Sequence, residues 1–491
     1  MIFIKVKIHD KFSFEFKISY VTEQSSLNEE ENEFSINTWL FVPNNLDINR
    51  STYSKEQFYK DTKSNVRLIT PVYSLKEIYT KENNPISQIK EALKKLSENP
   101  ASEQSLENYA YHIRMFACIF KSASRDNAYS IIEETNDEKI IESVDEYIVN
   151  TRSIFNSYRS IKNDLDRLQL EKEKTESYRF GDDFIGNILE QHTFRIMKGL
   201  ENRKAYKKIK QKLVLLVEDE RQYKRKHLYS LLDINDPSNN YLVVMRRGIL
   251  KKFIESDLYL NTKKSKDGAF AEQFYYGIAA AISMIFATVV AFTAQQRYGN
   301  FTTPLFFALV ISYVFKDRIK DLMRYYFSNQ LGKKYFDTKR ELEIIKQKIG
   351  WTKESFDFVP ENKIPDEVMT LRKRTPLVEA ENKIYNEQII LYKKLVKLSG
   401  IKINQNKNYQ FIGINDITRF NITHFIQKTD NPFVSLYVPD EKEGYKKFQG
   451  EKVYALHFIT RFESQKNVYF RKFRLLFNRD GIKEINELLI Q

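Results

Sequence analysis

Apolar and polar side chains alternate from the first residues of the chain. Ile2, Ile4, Val6 and Ile8 share one parity, and Phe12, Phe14, Phe16 and Ile18 resume it. A period of two predicts antiparallel strands with one face buried. The acidic run Glu29, Glu30, Glu31 and Glu33 predicts an exposed loop, after which FSINTWLFVP returns to strand character and stops at Pro43, Asn44 and Asn45. The pattern therefore assigns an N-terminal β region to residues 1–75. The period then changes to three and four. Asn84 before Pro85, and Ser102 before the face Tyr109, Ile113, Phe116 and Phe120, are helix starts, which assigns a helical region to 76–135. Over 136–235 one stripe runs through Val144, Ile148, Phe155 and Leu165, and a second through Ile188, Ile196, Leu213 and Leu216. Gly181, Asp182 and Asp183 between them read as a stop and a new cap. Two such arms in succession predict a long antiparallel, coiled-coil-like helical hairpin.

The chain's most distinctive stretch follows a basic amphipathic segment, 242–268, expected to lie beside a membrane. Between Glu272 and Arg297 no residue is charged. At about 1.5 Å per residue such a run is long enough to cross a bilayer core of roughly 30 Å, which predicts a transmembrane helix over 273–294. The break QQRYGN leads to a shorter apolar arm over 301–316, expected to cross back and continue as a cytoplasmic helix to about residue 347. Further on, Thr375, Pro376, a face of Leu377, Ile384, Leu391, Leu395 and Leu398, and a closing Gly400 predict a helix over 375–400. Residues 405–491 return to strand patterns separated by Pro432, Pro439 and Gly450, and are assigned to a C-terminal β domain. The turn from Asn478 to Gly481 is expected to lead into a short closing helix.

Composition adds direction to this outline. The chain has 491 residues, 42% of them apolar, and a formal charge of +14, which favours anionic partners such as acidic phospholipid or nucleic acid. A single cysteine, Cys118, excludes an internal disulfide. The N-terminus alternates and lacks the continuous apolar core of a secretion signal. Lys263, Lys264 and Lys266 precede the first apolar arm, Lys316, Arg318, Lys320 and Arg324 follow the second, and the turn carries only Arg297. By the positive-inside rule both termini are expected in the cytoplasm, with the hairpin in the plasma (inner) membrane.

Candidate chemistry is sparse. No Walker loop, GxGxxG, GxSxG or HExxH occurs, the six histidines show no helical ligand spacing, and no cofactor or metal is expected. His424 and His457 are placed on strands of one domain, where they could meet across a sheet. In the first apolar arm, Gly277, Ala280, Ala281, Ala287 and Ala291 are small enough for another helix to approach closely, either the second arm or a neighbouring hairpin. Arg203, Lys204, Lys207 and Lys208 form one basic cluster, and Arg246, Arg247, Lys251 and Lys252 another. Each could touch anionic headgroups or nucleic acid, or simply face solvent. These readings predict an α+β membrane protein whose two-span helical hairpin anchors a cytoplasmic body. The expected function is non-enzymatic. The body senses or binds a macromolecule and couples it to the hairpin, and the protein could self-assemble as a membrane effector of stress or phage defence. A static scaffold, and an enzyme with a dispersed site in the β regions, are the alternatives.

Overall fold

A computed structural model describes residues 2–22, 32–168, 172–344, 347–384, 386–404, 408–464 and 467–490. The strands are β1 (Ile2–Asp10), β2 (Ser13–Val21), β3 (Asn32–Val42), β4 (Thr62–Leu68), β5 (Asn261–Ser265), β6 (Thr338–Ile344), β7 (Gln347–Phe358), β8 (Gln388–Leu398), β9 (Gly413–Asn421), β10 (Phe433–Asp440), β11 (Gly444–Glu451), β12 (Tyr454–Ser464), β13 (Asn467–Asn478) and β14 (Gly481–Leu488). The helices are α1 (Lys55–Asp61), α2 (Glu77–Thr80), α3 (Pro85–Glu98), α4 (Glu103–Glu133), α5 (Asp137–Arg167), α6 (Lys172–Leu200), α7 (Tyr206–Lys226), α8 (Pro237–Ile254), α9 (Ala269–Tyr298), α10 (Thr303–Lys334), α11 (Asp366–Arg372), α12 (Pro376–Ile384), α13 (Gly400–Ile403) and α14 (Thr423–Gln427). They form two units. A sheet unit comprises Met1–Asn65, Asn261–Ile403 and Asn415–Gln491, and a helical unit comprises Val66–Leu260 and Asn404–Ile414.

The sheet unit is built on an eight-stranded sheet of order β14-β13-β12-β3-β8-β7-β6-β5 and a four-stranded sheet of order β1-β2-β9-β4. Strands from both ends of the chain thus enter one sheet, because β3 pairs antiparallel with β12 on one side and β8 on the other. Alternate residues of β3 go to opposite faces. Leu40 and Val42 join the core with Phe14, Phe420, Phe458 and Phe473, whereas Trp39 and Phe41 join Ile364, Val368, Ile389 and Ile459 on the reverse side. Covering both faces removes the polar half of the alternation. That is why 375–400 misleads as a sequence. Its helix stops at Ile384, and Gln388–Leu398 is a central strand whose apolar residues, buried on both sides, imitate a helical stripe. Gly481–Leu488 is likewise not a closing helix but an edge strand paired with β13. Gly481, at φ +134°, passes so close to the Lys11 carbonyl that a Cβ would not fit. Among the described residues the ribbon β10–β11 pairs only with itself, and it leaves Phe433, Tyr437, Tyr445 and Phe448 exposed.

The helical unit is a bundle of α3–α8 and not a two-arm coiled coil. Residues Gly181, Asp182 and Asp183 lie inside α6, which runs from Lys172 to Leu200; the first arm ends instead at Arg167, and a further break at 201–205 divides the second. Gly181 is there for packing: a Cβ would collide with the Tyr158 hydroxyl and the Ile113 side chain. The expected basic helix over 242–268 is α8, ending at Ile254, followed by a 3-10 turn and β5. Of the predicted acidic loop, Glu29, Glu30 and Glu31 lie outside the described residues, and Glu33 lies on β3.

Candidate functional site

The apolar stretch forms an antiparallel helical hairpin, α9 and α10, inserted between two adjacent strands of the sheet unit. β5 enters it, β6 leaves it, and the two pair from Asn261↔Glu343 to Ser265↔Lys339. The base is tied down. Gly268 adopts φ +71°, with the Tyr335 ring where a Cβ would stand. Buried Asp267 accepts the Phe336 N–H at 3.2 Å and pairs with Lys353 on β7 at 3.0 Å. α10 ends at Lys334, short of the expected 347, because residues 338–344 are recruited as β6.

Three contacts fix the register of the arms. Ser312 Oγ donates to the Ala287 carbonyl at 3.4 Å, the Arg324 guanidinium lies 5.5 Å from the Tyr276 ring centre, and Tyr275 meets Phe327 at 5.0 Å. Lys316 therefore stands level with Ser283, and Lys320 with Ala279 and Ala280. The section in which both arms are free of charge is Met284–Gln296 against Thr303–Phe315, 13 residues each. At about 1.5 Å per residue this is roughly 20 Å of helix. The seam uses Ala279, Ser283 and Ala294, which are buried, with Ala280, Ala287 and Ala291 half-buried beside them. Gly277 and Ala281 instead face outward, and a Cβ on Gly277 would touch nothing. α9 is the one helix, among the described residues, long and apolar enough to cross a membrane, and only 17% of that stretch is buried. Ile285, Val289 and Phe292 on α9, and Phe306, Val310 and Val314 on α10, are all exposed. No family model, curated protein or solved structure matches this chain.

The basic clusters separate when their partners are seen. Arg246 Nε donates to Asp183 at 2.9 Å, and Arg247 donates to Glu190 at 2.9 Å and Asn187 at 3.0 Å. Both bind buried acids of α6 within the helical unit. Lys251 and Lys252 are exposed in the last turn of α8, where cations offset the helix dipole. Arg203, Lys204, Lys207 and Lys208 are exposed around the α6–α7 turn.

Sequence reasoning missed the network that Arg246 and Arg247 join. Arg159 on α5 lies 3.3 Å from the Tyr223 ring centre, donates to Asp182 at 3.0 Å, and forks onto both oxygens of Glu220 at 2.9 and 2.8 Å. Tyr223 and Tyr229 donate to the second Asp182 oxygen, each at 3.0 Å. Lys224 reaches Glu190 at 2.7 Å and Asn187 at 3.1 Å. Four carboxylates thus face four cations across α5–α8. Burial pushes the Glu220 carboxyl up to about 7 against the pull of Arg159. The available signal was small: Gly181 and Gly186 on one helix flank the acidic pair, and a Cβ at Gly186 would strike Glu220 and Lys224.

A second ionic cluster lies between the sheets. Lys394 on β8 pairs with Glu354 on β7 at 3.0 Å and with Asp416 on β9, and Arg340 also binds Glu354, at 3.2 Å. Next to it is an apolar cavity of about 60 Å³ lined by Phe14, Phe16, Tyr392 and Phe458. The two histidines do not meet. His424 lies on α14 with Asp61 at 3.2 Å, while His457 projects from the reverse side of the large sheet. No group of three or more His, Cys, Asp or Glu suited to a metal ion occurs among the described residues.

Proposed function

We propose that this protein is a membrane-anchored, non-enzymatic effector whose α9–α10 hairpin enters the lipid bilayer from the cytoplasmic side. The observation that carries the reading is the hairpin itself: two packed helices that, over their common charge-free section, turn large apolar side chains away from the shared seam. Water is a poor solvent for such a surface, and contiguous exposed apolar area of this kind marks a membrane or protein partner. The flanks suit a headgroup boundary. Arg324 stands level with Tyr276 and beside Tyr325 and Tyr326, and Lys316, Arg318 and Lys320 lie on the preceding turns of α10, the mixture of cations and aromatic rings found at interfaces.

The paired strands β5 and β6 give a route for coupling. A change in the large sheet, on which a bound macromolecule would act, reaches both arms through Asp267, Gly268 and Tyr335 without a flexible linker. Self-association belongs to the same reading, because the outward Gly277 and Ala281 leave room for a second hairpin to approach. Both termini and both units then lie in the cytoplasm.

Fractionation of cells producing the full chain tests this. The protein should stay with membranes through alkaline carbonate and be released by detergent. A variant carrying Ile285→Ser, Phe292→Ser, Phe306→Ser and Val310→Ser should move to the soluble fraction with its sheet and bundle intact. Recovery of the unaltered chain as a soluble monomer without detergent would overturn the reading.

A further inference from the structure

On the reverse side of the large sheet, Phe41, His457 and Arg474 stand in one cross-strand row, and Trp39, Ile459 and Lys472 in the next. α11 covers these rows and ends at Arg372, whose guanidinium lies 5.5 Å from the Phe41 ring centre. Beside it opens a cavity of about 140 Å³, lined by Arg372, His457, Asn382, Glu387, Glu381 and Asn44. Arg372 is only 7% exposed. Its Nη2 donates to Glu387 at 2.9 Å, but its Nε has no acceptor among the described residues. Arg474 Nε and His457 Nδ1 are also buried without a partner among the described residues. Buried polar groups seldom go unpaired, and Arg372 and His457 at the cavity, with Arg474 cross-strand from His457, point to an acceptor that completes them.

The charge balance has the same sign. Arg372, Lys373, Lys472 and Arg474 gather here. Lys472 Nζ is occupied by the Leu371 and Arg372 carbonyls at 2.7 and 3.2 Å. Glu387 divides its two oxygens between Arg372 and Arg374, and Glu381 is exposed at the rim. The excess of cations shows in the neighbours. Burial, then Arg372, Lys472 and Arg474, hold the His457 imidazole down at about 3, and burial with Arg372 and Lys373 lowers Lys472. A neutral imidazole keeps one ring N–H available as a donor.

We propose that this cavity binds a small oxyanion, phosphate or the phosphoryl or carboxylate group of a metabolite, through Arg372 Nε and His457 Nδ1, with Arg474 on the neighbouring strand adding its charge. A guanidinium edge matches such an oxygen pair in charge and geometry. The site is independent of the membrane reading, since it uses none of the hairpin.

The test uses the detergent-solubilised full chain with isotopically labelled histidine. Inorganic phosphate and acetate are titrated separately against chloride at equal ionic strength. Phosphate should shift the His457 resonance saturably and raise its titration midpoint, because a bound anion offsets the surrounding cations. A larger effect of phosphate than acetate identifies a phosphoryl ligand, and the reverse a carboxylate. Arg474→Gln, at a part-exposed strand position, should keep the fold and weaken the response at least about tenfold, with Arg474→Lys restoring part of it. A His457 resonance that follows chloride as closely as phosphate, or a response unchanged in Arg474→Gln, overturns the proposal.

Discussion

At the residue scale, the helical unit rests on groups that are costly to bury and are held by their partners. Arg159 neutralises Asp182 and Glu220, both almost fully buried, and closes over Tyr223. Arg159→Ala would leave two carboxylates without their guanidinium, and breaking buried pairs of this kind costs about 3–5 kcal/mol. Urea unfolding followed by far-UV circular dichroism should show a loss of that size in the bundle. His192 supplies a pH dependence. It is buried on α6 with neither ring nitrogen partnered among the described residues, and burial, then Arg195, Arg125 and Lys121, bring it from its ordinary 6.5 to about 4. The folded state therefore binds fewer protons than the unfolded state. Its contribution is intact above pH 6.5 and is lost as pH falls from 6.5 toward 4, by roughly 3 kcal/mol in all. Melting temperature against pH should fall across that window, and His192→Leu should flatten the slope.

At the element scale, the hairpin is shorter as a pair than α9 is alone. Its first arm carries a long uncharged run, but Lys316, Asp317, Lys320 and Asp321 stand beside the lower part of that run. The common charge-free section is thus roughly 20 Å, against a bilayer core of roughly 30 Å. Lysine and arginine can extend toward the headgroups, whereas the short side chains of Asp317 and Asp321 cannot. In vesicles whose acyl chains range from about 14 to about 22 carbons, insertion should be strongest in the thinnest bilayers, where mismatch is least. Asp317→Leu with Asp321→Leu should move the optimum to longer chains. A fluorescent label at the Asn300 turn reads this directly. Insertion that ignores chain length would refute the depth argument while leaving membrane binding in place.

At the scale of the whole molecule, the chain alone located the apolar hairpin, the strand-rich ends and the helical middle. These follow from local facts: an uncharged run, a period of two, caps such as Asn84 and Ser102, whose side chains accept from Ser87 and Ser105. What the tertiary structure decided were the features in which burial on two sides erases the local pattern or a distant partner changes a residue's role. β8 loses its alternation because both faces are covered. Gly181 and Asp182 resemble a helix end until Tyr158 and Arg159 supply the reason for a glycine and a carboxylate inside α6. Arg246 and Arg247 resemble surface cations until Asp183 and Glu190 claim them. β3 lies between β12 and β8 only after more than 300 residues of intervening chain have folded back, and no spacing along the polymer encodes that pairing. Periodicity records which side of an element avoids water; the identity of what covers that side is a property of the folded whole.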